Sequence, residues 1–407
     1  MRILYIHQYF TLPSSSGGTR SYDLAKQFTI AGHKVIVVTT SSFLKGFDFK
    51  DAWTVIEQEG IELHVLNLEY SNKMSFAKRA LTFVKFVAKS SLRVLKIKSD
   101  VVLATSTPIT IAVPAMVKKS LQGVPYIFEV RDVWPEVPVA MGIISNKLLV
   151  KLLNAFEKRI YKNAAHIVPL SDDMKRSIEE RTTVSVKKLS VIPNISEVLR
   201  FDSFDTNKSI LAGLLGFTPV KTVLYAGTLG MVNGLRYLVD LATHLKTIDS
   251  SIKFIVFGDG MEKASLMKYA LENKVLNSTL FFFDPVPKSQ LAQLYYESTV
   301  ASSFVIPIPE LWANSANKFF DCLAAGRPIL INHRGWQAAV IEKEDVGFVM
   351  DYQVDNLQQE ARRFADYINN KSLLKAQQIR ARALAQRSYS LDIAVGSYLK
   401  ILDNVVS

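Results

Sequence analysis

Val223-Leu-Tyr-Ala-Gly227-Thr228-Leu229-Gly230-Met-Val-Asn233-Gly234 lies just past the middle of a chain of 407 residues. Its β-branched and aromatic opening reads as a buried strand, its glycines as a tight turn, and the residues from Gly234 onward as a helix. That succession leaves backbone N–H groups free at a helix N-terminus, a place that suits a phosphate. Every doubly wound domain contains such a unit, so the stretch gains weight from a second turn, Ser16-Gly17-Gly18-Thr19, which follows the first strand of the chain in the same way.

Outward from this turn the chain shows the same alternation twice. Residues 2–7, 34–39, 62–67, 100–104, 125–130 and 166–170 read as strands, and residues 19–31, 75–96, 108–121 and 145–162 carry helical patterns. After a polar passage near 195–210 the alternation restarts, with strands at 221–226, 252–257, 279–283, 300–304 and 328–331 and helices at 234–246, 261–273, 288–297 and 314–325. Near-continuous apolar strands separated by helices call for parallel sheets covered on both faces. The expected fold is therefore α/β: two doubly wound, Rossmann-like domains over 1–200 and 201–387, facing an interdomain cleft, with C-terminal helices. The last of these, 388–407, is expected to pack back on the first domain. Ligands of such sheets bind outside the carboxyl ends of the strands, and the cleft is the default site.

Forty-nine Lys and Arg against thirty-seven Asp and Glu give a net charge of +12, which favours an anionic partner. A mean hydropathy of +0.15 excludes a disordered chain. The single cysteine, Cys322, excludes an internal disulfide and a cysteine-rich metal site, so a cytoplasmic location is expected. Met1-Arg-Ile-Leu-Tyr-Ile-His7 reads as a first buried strand rather than a signal peptide, and the uncharged run 101–117 is broken by Pro108 and Pro114, so no transmembrane helix is expected.

Much of the excess charge lies between Asn72 and Lys98, a run without Asp or Glu. A basic amphipathic helix of this kind is expected to touch an anionic membrane through Lys78, Arg79, Lys85, Lys89 and Arg93. The competing reading is that Phe76, Phe83 and Val87 face the core and the lysines are merely solvated. No nucleic-acid module is evident, and no nucleic-acid partner is expected.

In the second domain three features are expected to converge at the strand ends: the turn from Gly227 to Gly234, Gly258-Asp259-Gly260, and Asn314-Ser-Ala-Asn-Lys318-Phe-Phe-Asp321. Ser315, Ala316, Asn317 and Lys318 read as the opening turn of a helix, where amides, helix dipole and the Lys318 ammonium favour an anion. Asp321 falls on the face of Lys318, placed either to accept from a ribose diol or to pair with the lysine. Together these have the shape of a nucleoside-diphosphate site.

His7-Gln-Tyr-Phe10 with Gly17-Gly18, Phe128-Glu-Val-Arg131-Asp132-Val-Trp134-Pro-Glu136, Val191-Ile-Pro-Asn194, Tyr225-Ala-Gly-Thr-Leu-Gly230, Gly258-Asp-Gly260 and Asn317-Lys318-Phe-Phe-Asp321 jointly resemble the GT-B glycosyltransferases of the retaining GT4 family. They are most similar to a branch of bacterial O-antigen and capsule enzymes, the N-acetyl-fucosaminyl transferases. The sequence departs from the wider family where Thr228 and Asn233 replace an Arg and a Lys of the diphosphate turn. It departs again where Ala313 and Asp321 stand for two glutamates, and where Arg131-Asp132 stands for a His-Asp pair.

The resemblance implies transfer, with retention, of a sugar such as N-acetylated L-fucosamine from a UDP-sugar to an undecaprenyl-diphosphate-linked saccharide on the inner face of the cell membrane. Gly17, Gly18, Gly227, Thr228, Gly230, Asn233, Gly258, Asp259, Ser315, Ala316, Asn317, Lys318 and Asp321 would hold the donor. Lys318 would stabilise the leaving diphosphate, Asp132 would handle the acceptor hydroxyl with Glu136 as second choice, and Arg131 would hold phosphate. With no Asp-x-Asp pair in the chain, no metal cofactor is expected. A GT-B-fold sugar-nucleotide epimerase and a non-catalytic anionic-lipid or nucleic-acid binder are the rival readings.

Overall fold

A computed structural model describes residues 1–13, 18–44, 46–70 and 74–407. Gly17, with Ser16, and the start of the basic run, Asn72 and Lys73, lie outside the described residues. The chain divides into two compact units, Met1–Pro193 with Leu391–Ser407, and Asn194–Ser390.

The first unit runs β1 Arg2–Ile6, α1 Arg20–Ile30, β2 Lys34–Thr40, β3 Trp53–Gln58, β4 Ile61–Leu66, α2 Phe76–Leu95, β5 Val101–Thr105, α3 Ala112–Gln122, β6 Tyr126–Val130, α4 Glu136–Ala140, α5 Lys147–Asn163, β7 His166–Pro169 and α6 Asp172–Arg181. Its described strands form one sheet in the order β3-β4-β2-β1-β5-β6-β7, parallel but for β3, which pairs antiparallel with β4. Alternate residues of β1 serve the two faces, as the period of two requires. Leu4 and Ile6 join a cluster with Phe86 of α2, Ala115 of α3 and Ile160 of α5. On the other face Tyr5 donates a hydrogen bond to Ser21 of α1. The edge strand β3 was not foreseen, because only one of its faces is packed and Glu57 interrupts any apolar run.

The second unit runs α7 Ile210–Leu215, β8 Lys221–Ala226, α8 Arg236–Ile248, β9 Ile252–Phe257, α9 Lys263–Glu272, β10 Leu280–Phe283, α10 Lys288–Glu297, β11 Val300–Ser303, α11 Pro309–Trp312, α12 Asn317–Ala324, β12 Ile329–Ile331, α13 Trp336–Glu344, β13 Gly347–Val349, α14 Leu357–Asn369 and α15 Lys371–Ser388. Its parallel sheet has the order β10-β9-β8-β11-β12-β13. The strand order reverses beside β8, with β9 on one side and β11 on the other, so the turn after β8 opens into the crevice of a topological switch point. The last helix of the chain, α16 Leu391–Val406, packs against α1 in the first unit.

Two helix starts differ from the sequence expectation. Gly234 is left-handed (φ 55°) and closes a short 3-10 turn over Met231–Asn233, so α8 begins at Arg236. A Cβ at Gly234 would meet Ile306 at 3.0–3.3 Å, so the turn is pressed against the segment after β11 and glycine fits where a side chain would not. Likewise α12 begins at Asn317, and Ser315 precedes the helix instead of lying in its first turn.

Candidate active site

In the second unit the turn after β8 is folded onto the turn after β9. Gly227 N–H donates to Phe257 O and Leu229 N–H to Asp259 O, each at 2.9 Å. A Cβ on Gly258 would lie 1.9 Å from Gly227 O, and one on Gly260 would lie 2.2 Å from Leu229 O. Gly258 and Gly260 are therefore required for close backbone approach, and Asp259, an exposed residue, folds its carboxylate onto the Gly260 N–H. This narrows the expectation that the whole Gly227–Gly230 stretch offers amides. Two of its N–H groups are turned inward, and Thr228 and Gly230 are the ones with no acceptor among the described residues.

Lys318 completes the crevice. Its Nζ donates to Asn233 Oδ1 at 3.2 Å, stands 5.1 Å from the centre of the Tyr225 ring, and lies against Gly227, where a Cβ would come within 3.2 Å of it. Asn233 in turn donates to the Thr228 carbonyl at 3.0 Å, which also receives the Tyr225 hydroxyl at 2.8 Å. Burial pushes the Lys318 ammonium down to about 8, the nearby Asp321 and Cys322 offsetting only part of that cost. A partly desolvated cation beside two amides with no acceptor among the described residues is chemically able to hold an anion. The N-terminus of α12 adds to it, since its cap residue Ala316 supplies no side-chain bond to the first amides, those of Asn317 and Lys318. Tyr225, which the sequence reading treated only as a strand residue, thus positions both the turn and the lysine.

Ser315 and Asp321 are engaged elsewhere. Asn194 donates its backbone N–H to Ser315 Oγ at 3.2 Å and its side-chain amide to Ser315 O at 2.5 Å, which anchors the entrance to α12. Asp321 does lie one turn from Lys318, but its carboxylate accepts from Arg200 at 2.7 Å, and Arg200 also bonds Glu197. Burial raises the Asp321 pKa and Arg200 holds part of that rise back. Of the two readings left open for Asp321, a ribose diol or a pair with Lys318, the carboxylate makes no ion pair with the lysine, because the short helical turn at Val198–Asp202 brings the Arg200 guanidinium to it instead. No local pattern reveals Arg200, which is 121 residues away in sequence.

In the first unit the carboxyl ends of β1, β5 and β6 gather His7, Gln8, Ser106, Thr107, Arg131 and Asp132. Thr107 donates its hydroxyl to Asp132 Oδ2 at 2.5 Å, and the Arg131 N–H donates to Ser106 Oγ at 2.9 Å. His7 is buried, and burial together with the Arg131 charge lowers its pKa to about 3. It is therefore a neutral imidazole at pH 7. Thr11 donates its hydroxyl to the Gly18 carbonyl at 2.6 Å. Glu136 is drawn away toward α6, where it accepts from Ser177 and lies 3.7 Å from Arg181, a guanidinium already forked onto buried Glu157.

The most tightly held group of this edge was quoted in the sequence but assigned no role. Glu129, fully buried, accepts from Arg20 Nε at 3.1 Å, from Thr105 and from Tyr398 of α16. Arg20 also donates to the carbonyls of Ile192 and Pro193. Burial alone would raise the Glu129 pKa, but Arg20, Arg131, Thr105 and Tyr398 hold it down at about 2. An acidic residue in the middle of an apolar β6 was the available signal. An open recess of about 780 Å³ in this unit, lined by Arg2, Lys34, Lys98 and Asp100, lies at the amino ends of the strands and away from Asp132.

On α2 the five basic residues divide. Lys78, Lys85 and Lys89 are exposed. Arg79 and Arg93 fall on the inner side with Phe86 and Ser90, as spacings of seven, four and three residues dictate. Arg93 there donates to His64 at 2.9 Å and covers the Trp53 ring, which corrects its assignment as a membrane contact. Among the described residues no helix is long and apolar enough to cross a membrane, and no cluster of three His, Cys, Asp or Glu is placed to hold a metal.

Two doubly wound units of this kind form the architecture of the GT-B enzymes. Residues 17–195 match the model of the "Glycosyl transferase 4-like domain", and residues 220–368 match "Glycosyl transferases group 1". The chain belongs to the GT-B glycosyltransferases of the GT4 type, and it is a transferase. It is 23% identical over 294 residues to the putative colanic acid biosynthesis glycosyl transferase WcaI of Escherichia coli, covering 69% of this chain and 71% of that one. It is 27% identical over 200 residues to the lipopolysaccharide 1,2-N-acetylglucosaminetransferase of Salmonella typhimurium, covering 46% and 49%. Among solved structures, Anabaena HepE in complex with UDP and glucose superposes with a TM-score of 0.73 at 15% identity, covering 99% of this chain and 100% of that one.

Proposed function

We propose that the enzyme transfers a sugar, with retention, from a UDP-sugar to a saccharide linked to undecaprenyl diphosphate, in the assembly of a bacterial surface polysaccharide. The observation that carries the donor half is Lys318, a half-buried ammonium held by Asn233 and Tyr225 against the Gly227 turn at the switch point. As the glycosidic bond to the diphosphate breaks, charge develops on the leaving oxygen. The Lys318 ammonium, the Thr228 and Gly230 amides and the first amides of α12 then supply donors already in place. UDP is the nucleotide favoured by the HepE complex, and the two curated relatives act, by their names, in colanic acid and lipopolysaccharide synthesis.

On the acceptor side Asp132, oriented by Thr107, is the group we assign to the acceptor hydroxyl, with Arg131 beside it to hold phosphate. Glu136 is the weaker candidate, because Ser177 and Arg181 already occupy it. The lysines of α2 bring this unit to an anionic bilayer where the lipid-linked acceptor resides. The sugar we favour is N-acetylated L-fucosamine, transferred without a metal.

The test is thermal unfolding with UDP, GDP and a panel of nucleotide sugars. A ligand at a hundred times its Kd stabilises the native state by about 2.7 kcal/mol. UDP and one UDP-sugar are expected to raise the melting temperature while GDP does not. Stabilisation by GDP and none by UDP would overturn the nucleotide assignment. Consumption of a UDP-sugar to an epimer without any acceptor would overturn transfer itself.

A further inference from the structure

The two faces of the first unit's sheet carry different chemistry. The helices α1 and α16 on one face hold Asp23, Asp392 and Asp403. On the other face α3 packs against both α2 and α5. From Ser71 to Phe156 the acidic residues are Asp100, Glu129, Asp132 and Glu136, and none belongs to α2, to α3 or to α5 as far as Phe156. The next one on α5, Glu157, is fully buried and bonded to Arg181. The outward sides of α2, α3 and α5 therefore carry cations and no anion, whereas α6, whose Ile178 packs in the same core cluster, carries Asp172, Asp173, Glu179 and Glu180.

Exposed apolar residues interleave with those cations at two places. On α2, Leu81 (52% exposed), Val84 (64%) and Leu92 (68%) stand beside Lys78, Lys85 and Lys89. On α5, Leu148 (67%) and Leu152 (60%) follow Lys147 and Lys151, with Ile143 exposed just ahead of the helix. Spacings of three, four and seven place each set on one helix face. Isolated exposed leucines are ordinary. Two basic helices of one layer, each exposing aliphatic side chains next to lysines with no compensating acid, are not. Nucleic acid would be met by aromatic or base-reading groups, and these side chains are aliphatic.

We infer that the start of α5, residues 143–152, is a second membrane-docking element, which inserts Ile143, Leu148 and Leu152 into the interface of an anionic bilayer while Lys147 and Lys151 meet its phosphates. Together with α2 it gives this layer two points of attachment, which fix the orientation of the unit as well as its distance from the bilayer. This rests on the reading of the enzyme as working on a lipid-borne acceptor.

The experiment is sedimentation of the full-length protein with phosphatidylglycerol-containing and pure phosphatidylcholine vesicles. It compares wild type, Lys147→Gln/Lys151→Gln, Leu148→Asn/Leu152→Asn and Lys78→Gln/Lys85→Gln/Lys89→Gln. Each lysine near an anionic surface is worth roughly a fivefold change in partitioning, so the α5 lysine pair is expected to weaken binding by about 25-fold. The leucine pair is expected to weaken it by at least about tenfold. Melting temperature and stabilisation by UDP should stay unchanged, since these side chains are exposed. Loss in the α2 variant with full binding by both α5 variants would overturn the α5 inference and leave the α2 reading standing. Loss in the α5 variants alone would do the reverse. Wild-type protein that ignores anionic vesicles, or binds RNA in preference to them, would overturn both.

Discussion

Replacing Lys318 with Met separates a binding role from a structural one, because the two predict opposite changes in stability. The ammonium is held at about 8 instead of 10.5 by burial. At about 1.4 kcal/mol per pH unit, the folded protein carries a cost of about 3 kcal/mol for keeping this charge without an anion. A methionine of similar volume removes that cost and loses one hydrogen bond to Asn233, worth about 1 kcal/mol. The variant is therefore expected to be more stable at pH 7, by about 1–2 kcal/mol in urea unfolding. The wild-type cost is full below pH 8. It fades as pH rises from 8 to 10.5, where the unfolded chain binds more protons than the native one, so wild-type stability rises over that window and the variant's does not.

Activity should move the other way. Losing one preorganised donor to a developing oxyanion costs about 100- to 1,000-fold in kcat. Bound diphosphate restores the lysine's charge, so UDP binding at pH 8 should take up about half a proton. Titration calorimetry in two buffers of different ionisation enthalpy measures that uptake. UDP affinity should be flat below pH 8 and fall about tenfold per pH unit above it, and Lys318→Met should lose both the uptake and the pH dependence. A variant that is destabilised, or one that loses less activity than Thr228→Ala, would refute this placement of the diphosphate.

Three further outcomes are expected. Gly258→Ala should destabilise the second unit by about 2–4 kcal/mol and abolish UDP stabilisation, because its methyl would meet Gly227 O at 1.9 Å, whereas Gly230→Ala, with 3.7 Å to its nearest neighbour, should cost under about 1 kcal/mol. Glu129→Gln leaves the Arg20 guanidinium buried without its counter-charge and should cost about 3–5 kcal/mol by calorimetry. In the wild type the Glu129 contribution is present above pH 4.5 and is lost as pH falls through about 2, which acid unfolding will report. Asp132→Asn should lower kcat by about 100- to 10,000-fold while leaving UDP stabilisation unchanged, and loss of UDP binding with it would argue against an acceptor-side role.

The parallel sheets and their glycine turns were legible because their signals are local. Apolar runs such as Val223–Tyr225 span a handful of residues, and glycine after a strand carries its backbone meaning with it. Tyr225 stood in the quoted stretch, but nothing near it shows that its hydroxyl would hold the Thr228 carbonyl while its ring lies beside Lys318. The partner of Asp321 was out of reach for the same reason, since i,i+3 spacing offers Lys318 as a candidate and cannot find Arg200. Arg79 and Arg93 were grouped with the exposed lysines of α2 because net charge is a property of composition, while the side of the helix that meets the sheet is decided by packing.

By itself the sequence determined the α/β class and the place of the glycine turns after the strands of the second unit, since strand, turn and helix propensities act over a few residues. Tertiary structure alone decided which amides of the turn are taken by backbone acceptors, which carboxylate is already committed to a guanidinium, and which leucines of α2 and α5 stay uncovered. Those outcomes depend on groups far apart in the chain, Lys318 with Asn233 and Arg200 with Asp321, and on the desolvation that arises when such groups are packed together.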